Sequence, residues 1–173
     1  MDKRIVITGG AGFVGVNLAM ECLKSGYEVT IMDLPERDSR IKYIQKEYRE
    51  KINIVYVDLW NNKIVLPSDT AYIIHLAAWP HVDFSYYYPK VTLMNNTMSL
   101  VQILDEAVKL DIPVIFASSV EVYGGERGEL YSELDNPNPV SPYGASKRAC
   151  ELILSTYVRC YGLKAATFRL TNL

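Results

Sequence analysis

The sequence predicts an α/β protein built on a doubly wound parallel sheet with helices on both faces. Three observations carry this. Short β-branched runs alternate with helix-periodic stretches along the whole chain. A cluster of glycines stands between the first strand and the first helix. Two long non-periodic stretches, 77–90 and 120–141, each follow a strand end. In open α/β sheets, ligands bind outside the carboxyl ends of the strands, and loops of that length are usually functional.

The elements follow in order. Arg4–Thr8 (RIVIT) reads as a buried strand ending in glycines. From Phe13 the apolar positions Phe13, Val14, Val16, Leu18, Ala19 and Leu23 suit a helix, which Gly26 is placed to end. Residues 28–32 (EVTIM) form the next strand. The charged stretch 36–51, with Ile41, Ile44 and Tyr48 at helical spacing, predicts a surface helix. Residues 53–57 (NIVYV) and 72–76 (YIIHL) are two more buried strands. A long helix is predicted over 91–110, with Leu93, Leu100, Ile103, Leu104, Ala107 and Val108 inward. A strand at 114–117, a helix over Pro142–Tyr161 and a strand over Ala165–Leu170 complete the chain. Right-handed crossovers then leave the doubly wound fold as the leading topology.

Composition excludes several function classes. With 173 residues the chain can bury a sizeable core as one domain, and a net charge of -2 gives no basic footprint for nucleic acid. No apolar run approaches the ~18 residues that span a bilayer, so no membrane association is expected. The start, Met1-Asp2-Lys3-Arg4, lacks the apolar region of a signal peptide. Cys22, Cys150 and Cys160 have no metal-ligand spacing, and their odd number argues against a disulfide framework. They read as small buried hydrophobes in a cytoplasmic protein, and no metal is expected.

Thr8-Gly9-Gly10-Ala11-Gly12-Phe13-Val14-Gly15 places Gly9, Gly12 and Gly15 at G-x-x-G-x-x-G spacing. Gly9 permits the tight turn, Gly12 lets backbone approach a pyrophosphate, and Gly15 lets the helix pack closely on the sheet. The helix behind them offers amide hydrogens and a positive dipole end to phosphate. With a strand before and a helix after, this is a Rossmann-type dinucleotide site. Asp33 ends the second strand, 18 residues after Gly15, where a carboxylate can accept from adenosine ribose hydroxyls. A 2′-phosphate there would meet like charge, costing up to ~4 kcal/mol at an intermediate dielectric. The expected cofactor is therefore NAD rather than NADP, although Arg37 is near enough in sequence to soften the preference. Asp58 ends the third strand and reads either as an acceptor for the adenine amino group or as a turn cap.

Tyr143 and Lys147 are spaced i, i+4 and so share one helix face. A phenol titrates near ~10, and a neighbouring ammonium together with an oxidised nicotinamide ring is expected to lower that value toward a usable base. Ser118 and Ser119 close the strand at 114–117, where a hydroxyl could donate to the sugar oxygen that Tyr143 deprotonates. His75 falls at a buried strand end and His81 in the loop after it, and no G-x-S-x-G elbow supports a serine hydrolase.

The glycine run, His75-Leu76-Ala77-Ala78, Ser118-Ser119 leading to Val122-Tyr123-Gly124, and Ser141-Pro142-Tyr143-Gly144-Ala145-Ser146-Lys147 resemble the extended short-chain dehydrogenase/reductases. Within these they resemble the NAD-dependent nucleotide-sugar epimerases and dehydratases. The resemblance implies bound NAD, a nucleotide-sugar substrate and transient oxidation at carbon 4 of the sugar through a 4-keto intermediate. It implies catalytic roles for Ser119, Tyr143 and Lys147. It places Gly9, Gly12, Phe13, Val14, Gly15, Asp33, Asp58, Leu59, Leu76, Ala77, Ala78, Tyr143 and Lys147 at the cofactor. Asn96, which matches the family's structural asparagine ahead of the long helix, is grouped with them. The helices at 91–110 and 142–161 correspond to those that pair family members as homodimers through a four-helix bundle.

His81-Val82-Asp83 and Glu121-Val122-Tyr123 look like the sugar 4,6-dehydratases, in which a glutamate at the position of Glu121 takes the proton from carbon 5. The acidic partner that precedes it there is replaced by Val120, which cannot protonate a departing hydroxyl. The leading expectation is an epimerase, the alternatives a 4,6-dehydratase or a UDP-glucuronate decarboxylase. A non-catalytic NAD-binding module is the reading from another class. Family members are much longer, so residues 1–173 are read as the cofactor domain without the C-terminal substrate-binding region, expected not to turn over substrate alone.

Overall fold

The computed structural model describes residues 4–36, 41, 44, 46–125 and 130–171. Strands β1 (Arg4–Thr8), β2 (Glu28–Asp33), β3 (Ile52–Tyr56), β4 (Thr70–His75), β5 (Val114–Ser119) and β6 (Ala165–Leu170) form one six-stranded sheet in the order β3-β2-β1-β4-β5-β6. All its pairings are parallel. The helices are α1 (Phe13–Lys24), α2 (Val82–Tyr87), α3 (Pro89–Leu110) and α4 (Pro142–Tyr161). This is the Rossmann-type order, in which the chain reverses direction across the sheet between β1 and β4.

Strand alternation divides the core in two. Ile5 and Ile7 of β1 point to one face, where they pack with Val16, Ala19 and Leu23 of α1. Val6 points to the other and joins Leu100, Ile103, Leu104 and Ala107 of α3 with Cys150 and Leu154 of α4. Each of these side chains is at least nine-tenths buried. Burying a residue of this kind contributes roughly 1.5–3 kcal/mol, so the two clusters hold the sheet between its helices.

Local chemistry fixes the helix that matters most for the site. Ser141 caps α4, its Oγ accepting from the Gly144 amide at 3.0 Å, and Pro142 occupies the first turn. Gly162 ends the helix at φ +69°, a conformation that costs a side-chain-bearing residue more.

The structure departs from the sequence reading at several elements. In place of the helix expected over 36–51, the described part holds a 3-10 helix at Lys46–Lys51; residues 37–40, 42, 43 and 45, Arg37 among them, lie outside the described residues. The stretch 77–90 contains α2, and α3 starts at Pro89 instead of 91. Leu93 is 37% exposed, not inward, because the inner stripe of α3 begins at Thr92 and Asn96. Cys22 and Cys150 are buried as expected, whereas Cys160 is exposed in the last turn of α4.

Candidate active site

At the end of β1 the chain turns under α1. Gly9 sits at φ +68°, and a Cβ there would lie 2.7 Å from the Ala77 amide nitrogen. A Cβ on Gly15 would lie 2.5 Å from Gly10 Cα, so close approach of backbone to backbone requires glycine at both positions. Gly12 caps α1 without a side chain, leaving nothing of its own to compete for the amide hydrogens of the first turn. Asp33 reaches this turn from the end of β2. One of its oxygens accepts from the Ala11 amide at 2.9 Å and the other from Leu34 at 2.8 Å. Asp58 is taken up locally, accepting from the Trp60 amide at 2.9 Å and the Asn61 side chain at 2.7 Å. That is the turn-capping reading, although Asp58 still borders the cavity.

A cavity of about 650 Å³ opens over the carboxyl ends of the strands, across the reversal between β1 and β4. Its wall includes Gly9, Gly12, Phe13, Val14, Gly15, Asp33, Asp58, Leu59, Leu76, Ala77 and Ala78, and also Ser119, Glu121, Tyr143 and Lys147. The fold thus gathers the expected residues with one exception. Asn96 lies inside α3 rather than ahead of it, is 2% exposed and is not on the wall. Its side chain accepts from the Trp79 amide and donates to Ser146 Oγ, both at 2.8 Å. Both ends of the amide are spent inside the protein, so Asn96 braces the cavity from behind.

The two serines that end β5 both border the cavity, but their hydroxyls go to different partners. The Ser119 hydroxyl accepts from the Glu121 amide at 3.2 Å and acts on the Tyr143 phenol, favouring its charged form. Ser118 Oγ donates to Glu151 Oε1 at 2.7 Å, within a buried cluster where Arg169 and Arg148 also grip Glu151. Those charge-assisted bonds outweigh burial and hold the Glu151 carboxyl below its ordinary range.

Lys147 is 3% exposed and Tyr143 8% exposed. The Lys147 ammonium donates to the Ala117 carbonyl at 2.8 Å and stands 6.0 Å from the Tyr143 ring centre. Burial pushes Lys147 down to about 8. The lowering expected of the Tyr143 phenol includes the charge of an oxidised cofactor; in the protein alone the phenol is shifted upward. Burial raises it above its ordinary value, outweighing the Ser119 hydrogen bond, and the Glu121 carboxylate pushes the same way. The lysine charge is turned toward a backbone carbonyl, so desolvation wins in the protein alone.

Sequence reading missed part of the wall. Asn95 and Ser99, one turn apart on α3, line the cavity together with Leu34 and Trp79. The i, i+4 spacing of two polar residues on a long helix was the available signal for the first pair.

Residues 5–173 match the model of the NAD dependent epimerase/dehydratase family. The chain belongs to this family. It is 30% identical to the dTDP-glucose 4,6-dehydratase of Mycolicibacterium smegmatis, over 98% of this chain and 53% of that protein. A solved UDP-N-acetylglucosamine 4-epimerase from Methanobrevibacter ruminantium, in complex with UDP-N-acetylmuramic acid, superposes with a TM-score of 0.84 at 30% identity. The match covers 97% of this chain and 54% of that one. The UDP-glucuronic acid 4-epimerase of Bacillus cereus, solved with UDP-glucuronic acid and NAD, gives 0.82 at 30% identity, over 96% of this chain and 55% of that one. The chain spans about half the length of the curated relatives it matches.

Proposed function

We propose that residues 1–173 form the cofactor domain of an NAD-dependent nucleotide-sugar epimerase that transiently oxidises carbon 4 of the sugar through a 4-keto intermediate. The observation that carries this reading is the sharing of one cavity by the glycine turn, Asp33 and the group Ser119, Tyr143 and Lys147. The residues present fit NAD. Gly9 and Gly15 keep the turn tight where a Cβ would strike backbone, and the uncapped first turn of α1 offers amides to a pyrophosphate. Asp33 offers a carboxylate to ribose hydroxyls and like charge to a 2′-phosphate. Bound there, NAD would take up the carbon 4 hydride and return it.

The chain's own residues handle the proton. In its phenolate form Tyr143 Oη takes the proton of the sugar 4-hydroxyl, becomes the neutral phenol, and gives that proton back when the sugar is reduced again. Its burial shields that exchange from water. The Ser119 hydroxyl favours the charged form of the phenol, and the Lys147 ammonium, 6.0 Å from the ring centre, would favour the phenolate together with the positive ring of the oxidised cofactor when bound.

Glu121 favours a second reading. It borders the cavity and its charge is felt at Tyr143, so the site holds a carboxylate as a base for a proton at carbon 5. Val120 beside it offers no acid, which leaves decarboxylation, or dehydration with an acid from elsewhere, as the form this would take. A purely cofactor-sensing module has no use for Ser119, Tyr143 and Lys147 together.

The reading extends to a homodimer through a four-helix bundle, supported by exposed Met94 and Met98 on α3 and Leu152 on α4. It extends to a cytoplasmic protein with three thiols; among the described residues no helix is long and apolar enough to cross a membrane. The remaining contacts to sugar and nucleotide are assigned to a region such as the relatives carry beyond the matched half.

The test uses the longest natural form of the protein, incubated with UDP- and dTDP-linked sugars and analysed by chromatography. The wild type is expected to interconvert 4-epimers. Tyr143→Phe is expected to lose turnover by about 10²–10⁴-fold while still binding NAD. Loss of water or carbon dioxide instead would favour the Glu121 reading, and no conversion with NAD binding intact would favour the sensor.

A further inference from the structure

The Lys147 ammonium is buried without a counter-ion: no ion pair involves it among the described residues. An ammonium has three hydrogens to satisfy, and the Ala117 carbonyl takes one. Lys147 borders the cavity, and its charge also faces two aromatic rings. Its Nζ lies 5.0 Å from the centre of the Phe116 ring and 6.0 Å from that of Tyr143. Phe116 is adjacent in sequence to Ala117, on β5, and is 1% exposed.

The Phe116 ring is itself held. His75, at the end of β4, stacks on it with ring centres 6.0 Å apart and planes 26° from parallel. The imidazole is fixed by the 2.8 Å contact of Nδ1 with Thr8 Oγ1, one residue before the glycine turn, while Nε2 has no partner among the described residues. Burial first, and the Lys147 charge second, push His75 down to about 3. It is neutral at neutral pH and sets no positive charge against the ammonium. The other titratable groups facing Lys147 are the Tyr143 phenol and the Cys150 thiol of α4, and burial raises both. Neither is an anion at neutral pH.

We propose that Phe116 is a positioning residue for Lys147, its ring face, braced by neutral His75, standing in for the missing counter-ion. A cation over an aromatic face is attracted by the ring quadrupole, most strongly where water is excluded. The backbone carbonyl fixes the direction of the lysine, and the ring keeps it charged. This deepens the reading given above, because Lys147 must stay an ammonium to favour a Tyr143 phenolate.

The test reads Lys147 in the protein without cofactor or substrate, so it stands whether or not the epimerase reading does. Mono-, di- and trifluorinated phenylalanines at position 116 weaken the ring quadrupole with little change of shape. The ε-methylene carbon resonance of Lys147, assigned by its loss in Lys147→Met, is followed against pH. The expected result is a stepwise fall of the Lys147 titration midpoint, reaching roughly half a unit to one unit in the trifluoro protein. Phe116→Leu, which removes the face but keeps an apolar side chain, is expected to lower it at least as far. A midpoint that stays constant across the fluorinated series, in proteins with unchanged backbone amide spectra, overturns the proposal.

Discussion

Asn96 of α3 donates its side-chain amide to Ser146 Oγ of α4 at 2.8 Å, and Ser146 in turn donates to the Tyr143 carbonyl at 2.7 Å. Through its other end Asn96 accepts the Trp79 amide. One buried side chain therefore fixes the loop carrying Ala77 and Ala78 against the helical turn carrying Tyr143 and Lys147. Asn96→Ala leaves a buried hydroxyl and a half-buried amide short and is expected to cost about 1–3 kcal/mol of stability, read from urea unfolding. A variant as stable as the wild type would mean that the brace is not needed.

Ser118 and Ser119 are expected to fail differently. Ser119→Ala removes the hydroxyl at the Tyr143 phenol and should reduce turnover by roughly ten- to a hundredfold with little change in thermal midpoint. Ser118→Ala removes a bond to a buried carboxylate and should cost about 1.5–3 kcal/mol with turnover kept. Parallel kinetics and thermal melts separate the two, and equal effects from both would contradict the division of the strand end seen here.

Asp33 should decide the choice of dinucleotide. Replacing it with serine removes the charge facing a 2′-phosphate. The NAD-over-NADP preference, measured by calorimetric titration of each, is expected to fall by at least about tenfold. Retention of the full preference would place discrimination elsewhere on the cavity rim.

His75 predicts an acid weakness. Its folded-state value of about 3 lies below the ordinary 6.5, so the unfolded chain binds a proton that the folded chain refuses. Above the ordinary value both states are neutral and His75 has no effect. As pH falls below it, stability is lost, by about 2 kcal/mol at pH ~5. Denaturant unfolding across this range should give a slope that His75→Phe flattens. The Asp69 and Glu151 carboxyls, held low by their arginine partners, add their own losses at lower pH.

Much of the site was legible because its chemistry is local. The glycine turn needs three positions in one strand-to-helix junction, and Tyr143 with Lys147 needs one helical turn; both spacings are written in consecutive residues. The serines were harder. Side chains alternate along a strand, so Ser118 and Ser119 had to face opposite ways, but only the contacts to Glu151 and Tyr143 reveal which is which. Asn96 was misplaced because its partners, Trp79 and Ser146, are distant in sequence. The upward direction of the Tyr143 phenol in the protein alone comes from burial, which the spacing of Tyr143 and Lys147 does not reveal. The six residues of α2, nearly all aromatic or small, have no period to read.

The sheet order has a consequence for how the protein comes into being. Thr8 lies beside Met32 on one side and His75 on the other, yet the second neighbour is made much later in the chain. A growing polypeptide emerging from the ribosome can pair β1 with β2 early, but the central seam waits for β4. Until that seam closes, the glycine turn faces solvent with no opposite bank, and a nascent chain holds a half-built groove whose apolar floor is exposed to chaperones and to its neighbours.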